Sequence, residues 1–154
     1  MKATVLVDNI GTEELPGEWG LSFFIEYRGV KVLLDAGADG LFAENARRLG
    51  LALDEVDHAV LSHAHYDHAD GMADFLAQNT KAKLYLRESC GENCYKKEAD
   101  SWKYIGIREG LLGQYRDRLV RVSGDLELEE GMWLVGHKTP GLEGQGNDRG
   151  IPSP

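Results

Sequence analysis

Apolar and polar residues alternate along this chain in two rhythms, one of period two and one helical. KATVLVD at 2–8 alternates and is rich in β-branched side chains, which predicts a half-buried strand. A polar loop with Gly11, Pro16, Gly17 and Gly20 follows. LSFFIEYRGVKVLLDAG at 21–37 divides into two strands around a tight turn at Arg28-Gly29. DGLFAENARRLG at 39–50 switches to helical spacing at Leu41, Phe42, Ala46 and Leu49, with Gly50 placed to cap the C-terminus. VDHAVLS at 56–62 predicts a short apolar strand. HADGMADFLAQN at 68–79 predicts a helix with Met72, Phe75 and Leu76 on one side, and AKLYLR at 82–87 a further strand. Residues 30–87 therefore run β-α-β-α-β, the order of a layered α/β unit.

The rhythm falters over 88–118, where Tyr95, Trp102, Tyr104 and Ile107 scatter among charges and REGLLGQY predicts a short helix. This stretch reads as a lid-like insertion. RLVRVSG at 118–124 and LELEEGMWLVGH at 126–137 return to strand patterning, the second as a hairpin turning at Glu130-Gly131. The remainder, KTPGLEGQGNDRGIPSP, has no periodicity. The expected organisation is a domain over 1–138 with an insertion near 88–118, followed by a Gly/Pro-rich tail over 139–154.

Composition narrows the function classes. With 154 residues, 42% hydrophobic and 28% charged, the chain is expected to form one soluble domain with a real core. No apolar run approaches the ~20 residues of a membrane span. The N-terminal stretch lacks the pattern of a signal peptide. A cytoplasmic protein without a membrane partner is expected. The net charge of −9 argues against a nucleic-acid partner, and the basic stretch YRDRLVR at 115–121 reads as a solvated face. Cys90 and Cys94, spaced C-x-x-x-C, match neither the usual redox nor the zinc-ribbon spacing and are expected as free thiols.

The chemistry concentrates in SHAHYDHADGM at 62–72. Three of the chain's five histidines fall within six positions, directly behind an apolar strand. Residues two apart in an extended segment point the same way, so His63 and His65 can present two imidazoles to one point. Asp67 and His68 follow where the chain turns into a helix and can face a second point nearby. Imidazole and carboxylate donors suit zinc, and also iron or manganese. Two such ions about 3.5–4 Å apart can share one hydroxide, a strong nucleophile at neutral pH.

The run His63-Ala64-His65-Tyr66-Asp67-His68, written H-x-H-x-D-H, resembles the signature of the metallo-β-lactamase-fold hydrolase superfamily. The flanks VDHAVLS and ADGM and the earlier VLLDAG are similar to that family's. The phrase HKTPGLEG resembles the branch of dihydropterin-linked aminobenzene-phosphate synthase-like proteins. The resemblance implies a four-layer αββα sandwich with the metal site at the seam between two sheets, of which this chain would be the N-terminal half. It implies metal ligation by His63, His65, Asp67 and His68, and a role for Asp35 in orienting the histidine loop. It also implies hydrolysis of a small-molecule ester, thioester, amide or phosphoester by a metal-bridging hydroxide. Asp67 would be the catalytic residue, orienting that hydroxide and carrying protons.

Members of the superfamily carry further ligands downstream. Here His63 and His65 would hold one metal, and Asp67 and His68 the other, two protein ligands each where catalytic zinc usually has three. His58 lies a strand's length, about 16 Å, from His63 and reads as a strand-end surface histidine. Asp70 reads as solvent-facing or as a cap. His137, in HKTPG, is the remaining candidate for a third ligand, and Asp148 is the only aspartate after it. The expectation is a truncated or split member carrying half a site. SFFI, VLL and AVL would leave an apolar sheet face to be covered by a second copy in a homodimer or by a separate C-terminal half. A hydrolase, a non-catalytic metal-binding or interaction module, and an iron-dependent oxidoreductase all stay open.

Overall fold

The computed structural model of the chain describes residues 1–136. His137, Asp148 and the tail over 139–154 lie outside the described residues. The alternating segments form six strands of one sheet, in the order β1-β2-β3-β4-β5-β8. The strands β1 (Lys2–Val7), β2 (Ser22–Tyr27) and β3 (Val30–Leu34) are antiparallel neighbours. The strands β4 (His58–Val60), β5 (Lys83–Arg87) and β8 (Leu119–Val122) continue from β3 in parallel. The turn at Arg28-Gly29 is tight, and both residues take positive φ (50° and 85°).

Side chains alternate across this sheet. Phe24, Leu33, Ala59 and Leu84 are laterally paired and enter one buried core. Helix α1 (Leu41–Arg48) adds Phe42 and Ala46 to it, and α3 (Met72–Gln78) adds Met72, Phe75 and Leu76. Phe42 is wholly buried, and its replacement by alanine would cost about 3–5 kcal/mol. Asn45, also buried on α1, donates its amide to the Leu6 and Pro16 carbonyls and ties the helix to β1.

The opposite face carries Ile25, Val32, Leu34 and Val60. The hairpin of β9 (Leu126–Glu129) and β10 (Met132–Leu134) lies over it, enclosing a groove of about 320 Å³. SFFI, VLL and AVL thus divide between the two faces and do not line one alone. His58 joins the two sheets. Its Nε2 is 3.0 Å from the Glu129 carboxylate, and its ring meets Tyr85 edge-on at 5.4 Å. Its side chain is only 14% exposed, so it is not the surface histidine expected from the sequence. The strand that covers it lies 71 residues downstream, too remote for local pattern to reveal.

Two further elements differ from expectation. The helix predicted over 68–79 begins earlier and is broken into α2 (Tyr66–Ala69) and α3. At the break, a Cβ on Gly71 would lie 2.0 Å from the Ala36 carbonyl oxygen, so the backbone there is pressed against the loop after β3. The stretch 88–118 holds a small hairpin, β6 (Tyr95–Glu98) with β7 (Ser101–Tyr104), and a one-turn helix α4 (Leu111–Gln114). Among the described residues no helix is long and apolar enough to cross a membrane.

Candidate metal centre

Strands β3 and β4 run in parallel, and their C-terminal ends release two loops side by side. The first begins with Asp35, the second with Ser62 and His63. Asp35 is 1% exposed and holds φ at 55°, a left-handed conformation that few side chains other than Asn and Asp tolerate. The backbone accepts that conformation because the surroundings fix it. The Asp35 amide donates to the Val60 carbonyl (2.9 Å), and its own carbonyl accepts from the buried Ser22 hydroxyl (2.8 Å).

The Asp35 carboxylate then organises the histidine loop. Oδ1 accepts the Ser62 amide at 2.8 Å. Oδ2 accepts the Ser62 hydroxyl at 2.6 Å and the His68 Nδ1–H at 2.7 Å. The Ser62 hydroxyl has one proton, and the carboxylate takes it. The 2.9 Å contact between Ser62 Oγ and His63 Nδ1 is therefore donated by the imidazole. Both His63 and His68 thus carry their proton on Nδ1 and keep the Nε2 lone pair. His65 turns the other ring atom inward, with Nδ1 3.1 Å from His63 Nε2.

His63 stands in the middle of the group. Its ring centroid is 4.7 Å from that of His65 and 4.1 Å from that of His68. Asp67 Oδ2 lies 3.9 Å from His68 Nε2, on a side chain 15% exposed. The predicted ligands are therefore gathered into one cluster. Among the described residues, ligand-capable atoms of Asp35, His63 and His68 lie within 4.8 Å of one another, and the predicted ligands His65 and Asp67 are outside that group. Within the trio, Asp35 is fully buried with both oxygens already accepting hydrogen bonds, whereas His63 Nε2 is shared with the neighbouring His65 ring and His68 Nε2 looks toward Asp67. The set therefore fits a metal held by imidazoles and an aspartate, with Asp35 behind them.

Electrostatics favour the same arrangement. Burial, then the neighbouring His68 and His65, holds the His63 imidazole below its usual range, which keeps it neutral and able to ligate. The hydrogen bond to Asp35 raises His68, overcoming partial burial. That bond secures the Nδ1 proton and makes Nε2 a stronger donor to a cation.

Two features were not visible in the sequence reading. Ser62 links Asp35 to His63, and only its position, one residue before the first histidine at a strand end, could have signalled this. The chain also returns alongside the histidine loop. Gly106 pairs with His65 in an isolated antiparallel bridge, and the Arg108 amide donates to Asp70 Oδ1 at 2.6 Å. Asp70, the C-cap of α2, is half-buried at this tether, and burial raises its carboxyl.

Residues 17–147 match the family described as the Metallo-beta-lactamase superfamily. The uncharacterized protein MJ0448 of Methanocaldococcus jannaschii is 31% identical over 127 residues, covering 82% of this chain and 46% of that protein. The crystal structure of Tm1679, described as a metal-dependent hydrolase of the beta-lactamase superfamily, shares 26% identity at a TM-score of 0.66. The match covers 87% of this chain and 47% of that one. BJP-1, a subclass B3 metallo-beta-lactamase of Bradyrhizobium japonicum, shares the fold at a TM-score of 0.54 and 22% identity, over 92% of this chain and 53% of its own. The chain spans about half the length of each of these proteins. The αβ arrangement of sheet and helices is that of about half of the metallo-β-lactamase fold.

Proposed function

The chain belongs to the metallo-beta-lactamase superfamily, and from that premise we propose that it serves metal-dependent hydrolysis of a small-molecule ester, thioester, amide or phosphoester. His63, His65, Asp67 and His68 are the residues that would hold one or two divalent cations. The observation that carries this reading is the proton arrangement behind them. Asp35 fixes Nδ1–H on His68 directly and on His63 through Ser62, so in both rings Nε2 is the atom left to ligate a cation. Three imidazoles and one carboxylate suit zinc first, with iron or manganese compatible.

A divalent cation bound there supplies Lewis-acid polarisation of a carbonyl or phosphoryl oxygen and lowers the pKa of a water. The chain's own contribution is orientation and proton handling. Asp67 is the acid-base group of this reading: its partly exposed carboxylate orients the attacking water and takes a proton at Oδ2. Asp35, sealed from solvent, keeps the two imidazoles in one tautomer. The two free thiols, Cys90 and Cys94, suit a reducing cytoplasmic setting.

One observation favours a second reading. Four donors shared between two metals leave two each, below the three of a usual catalytic zinc site. A non-catalytic metal-binding module would need no more. In the hydrolase reading the further donors come from His137, from a second copy of the chain or from a separate C-terminal half. Elemental analysis on protein whose mass is fixed by light scattering tests both readings. Near two metals per chain in a dimer, with turnover of a generic phosphodiester or thioester, supports the hydrolase. One weakly held metal and no turnover supports the module. Metal content unchanged by both His63→Ala and His68→Ala would sink the site itself.

A further inference from the structure

His65 is held differently from the other two histidines of the cluster. Among the described residues the Asp35 carboxylate's hydrogen bonds serve Ser62 and His68, whereas the His65 ring meets His63, Nδ1 to Nε2 at 3.1 Å. Its backbone is instead framed by a returning segment. The Tyr66 amide donates to the Ile105 carbonyl at 3.0 Å, and the Ile107 amide donates to the Ala64 carbonyl at 2.8 Å. These two bonds bracket His65 on both sides, opposite Gly106.

The returning segment is itself locked from above and below. Ile107 is 0% exposed and belongs to the core. The Tyr104 hydroxyl donates to the Ile107 carbonyl at 2.5 Å, and its ring lies across Gly106. A Cβ at 106 would sit 2.5 Å from Tyr104 Oη and 2.6 Å from Cζ. Tyr95, its partner across the β6–β7 hairpin, meets the same ring edge-on at 5.2 Å. The Tyr104 ring therefore cannot move without giving up the Ile107 bond or the Tyr95 contact.

We propose that the excursion over residues 95–108 is a building element of the metal centre, with Gly106 and Tyr104 as positioning residues that set His65. The proposal rests on the metal-site reading for its function, although the geometry exists without metal. Glycine is needed at 106 because the tyrosine ring occupies the space of a side chain. Tyrosine is needed at 104 because its hydroxyl ties the corner to Ile107, and Ile107 carries one of the two bonds that bracket His65. The stretch that reads in the sequence as a lid-like insertion is on this view part of the wall.

The test uses Gly106→Ala and Tyr104→Phe in the full chain, with three readouts. Histidine ring NMR on metal-free protein reports the position of His65, with the remote His58 ring as internal control. Cobalt titration reports affinity, and a thermal melt reports folding. The expected result for Gly106→Ala is a displaced His65 ring signal, an unmoved His58 signal, and cobalt affinity down by about tenfold. Tyr104→Phe is expected to do the same to a lesser degree, and it decides alone if Gly106→Ala does not fold. Wild-type His65 signals and wild-type cobalt affinity in the folded variants would overturn the proposal. If wild type binds no cobalt but the His65 signal still moves selectively, the metal-site reading falls and the positioning role stands.

Discussion

Strand β4 has a histidine at its first residue and another three residues past its last, and the two live in opposite surroundings. His58 faces the small β9–β10 hairpin, with one carboxylate at 3.0 Å, one aromatic ring, and a buried Nδ1 that has no hydrogen-bond partner among the described residues. His63 sits among two further imidazoles, and a serine relays its proton toward a sealed aspartate. At the His58 end the contacts join two sheets. At the His63 end the contacts fix protons on Nδ1 and turn the remaining ring nitrogen toward another imidazole. The difference is what separates a half-buried structural histidine from a candidate ligand: the site is defined by imidazoles gathered on one another and backed by one carboxylate, and burial alone does not distinguish the two.

Substitutions at the two ends should separate them. The largest effect is expected from His63→Ala, which removes the central imidazole: metal content by elemental analysis should fall to near zero while the melting temperature shifts by only a few degrees. Asp35→Asn keeps the shape but weakens acceptance from Ser62 and His68, and metal affinity by competition with a chromophoric chelator should drop by about 100-fold. Ser62→Ala breaks only the relay to His63, so the same assay should show a loss of about tenfold. His58→Ala should leave metal affinity unchanged and lower unfolding free energy in urea by about 1–2 kcal/mol, through the loss of the Glu129 and Tyr85 contacts. A metal defect in His58→Ala, or none in Ser62→Ala, would erase the contrast between the two ends.

The sequence made the His63 end legible and the His58 end obscure. Alternation in KATVLVD and SFFIEY, the helical spacing at Leu41, Phe42 and Ala46, and the dense His/Asp run are all local signals, and the structure brings those residues together. Local pattern places His58 on the surface, because Glu129 reaches it only through tertiary folding. The β6–β7 hairpin was missed for a different reason. Its strands are largely exposed, with burial confined to Tyr95 and Tyr104 at one end, so no apolar face marks them. The break at Gly71 also depends on a remote contact, the approach of the Ala36 carbonyl, which no helical periodicity encodes.

The parallel pairing of β3 with β4 has a kinetic consequence. Strands β2 and β3 pair antiparallel across the two-residue turn at Arg28-Gly29, a local contact that forms readily, and β1 joins them across the loop 8–21. Leu34 meets Val60 only after the intervening helix has folded back across the sheet, and only then can Asp35 reach Ser62 and His68. The topology thus makes the histidine cluster depend on non-local contacts: it takes shape only once the β3–β4 crossover is closed, whereas the β2–β3 hairpin needs only its own turn.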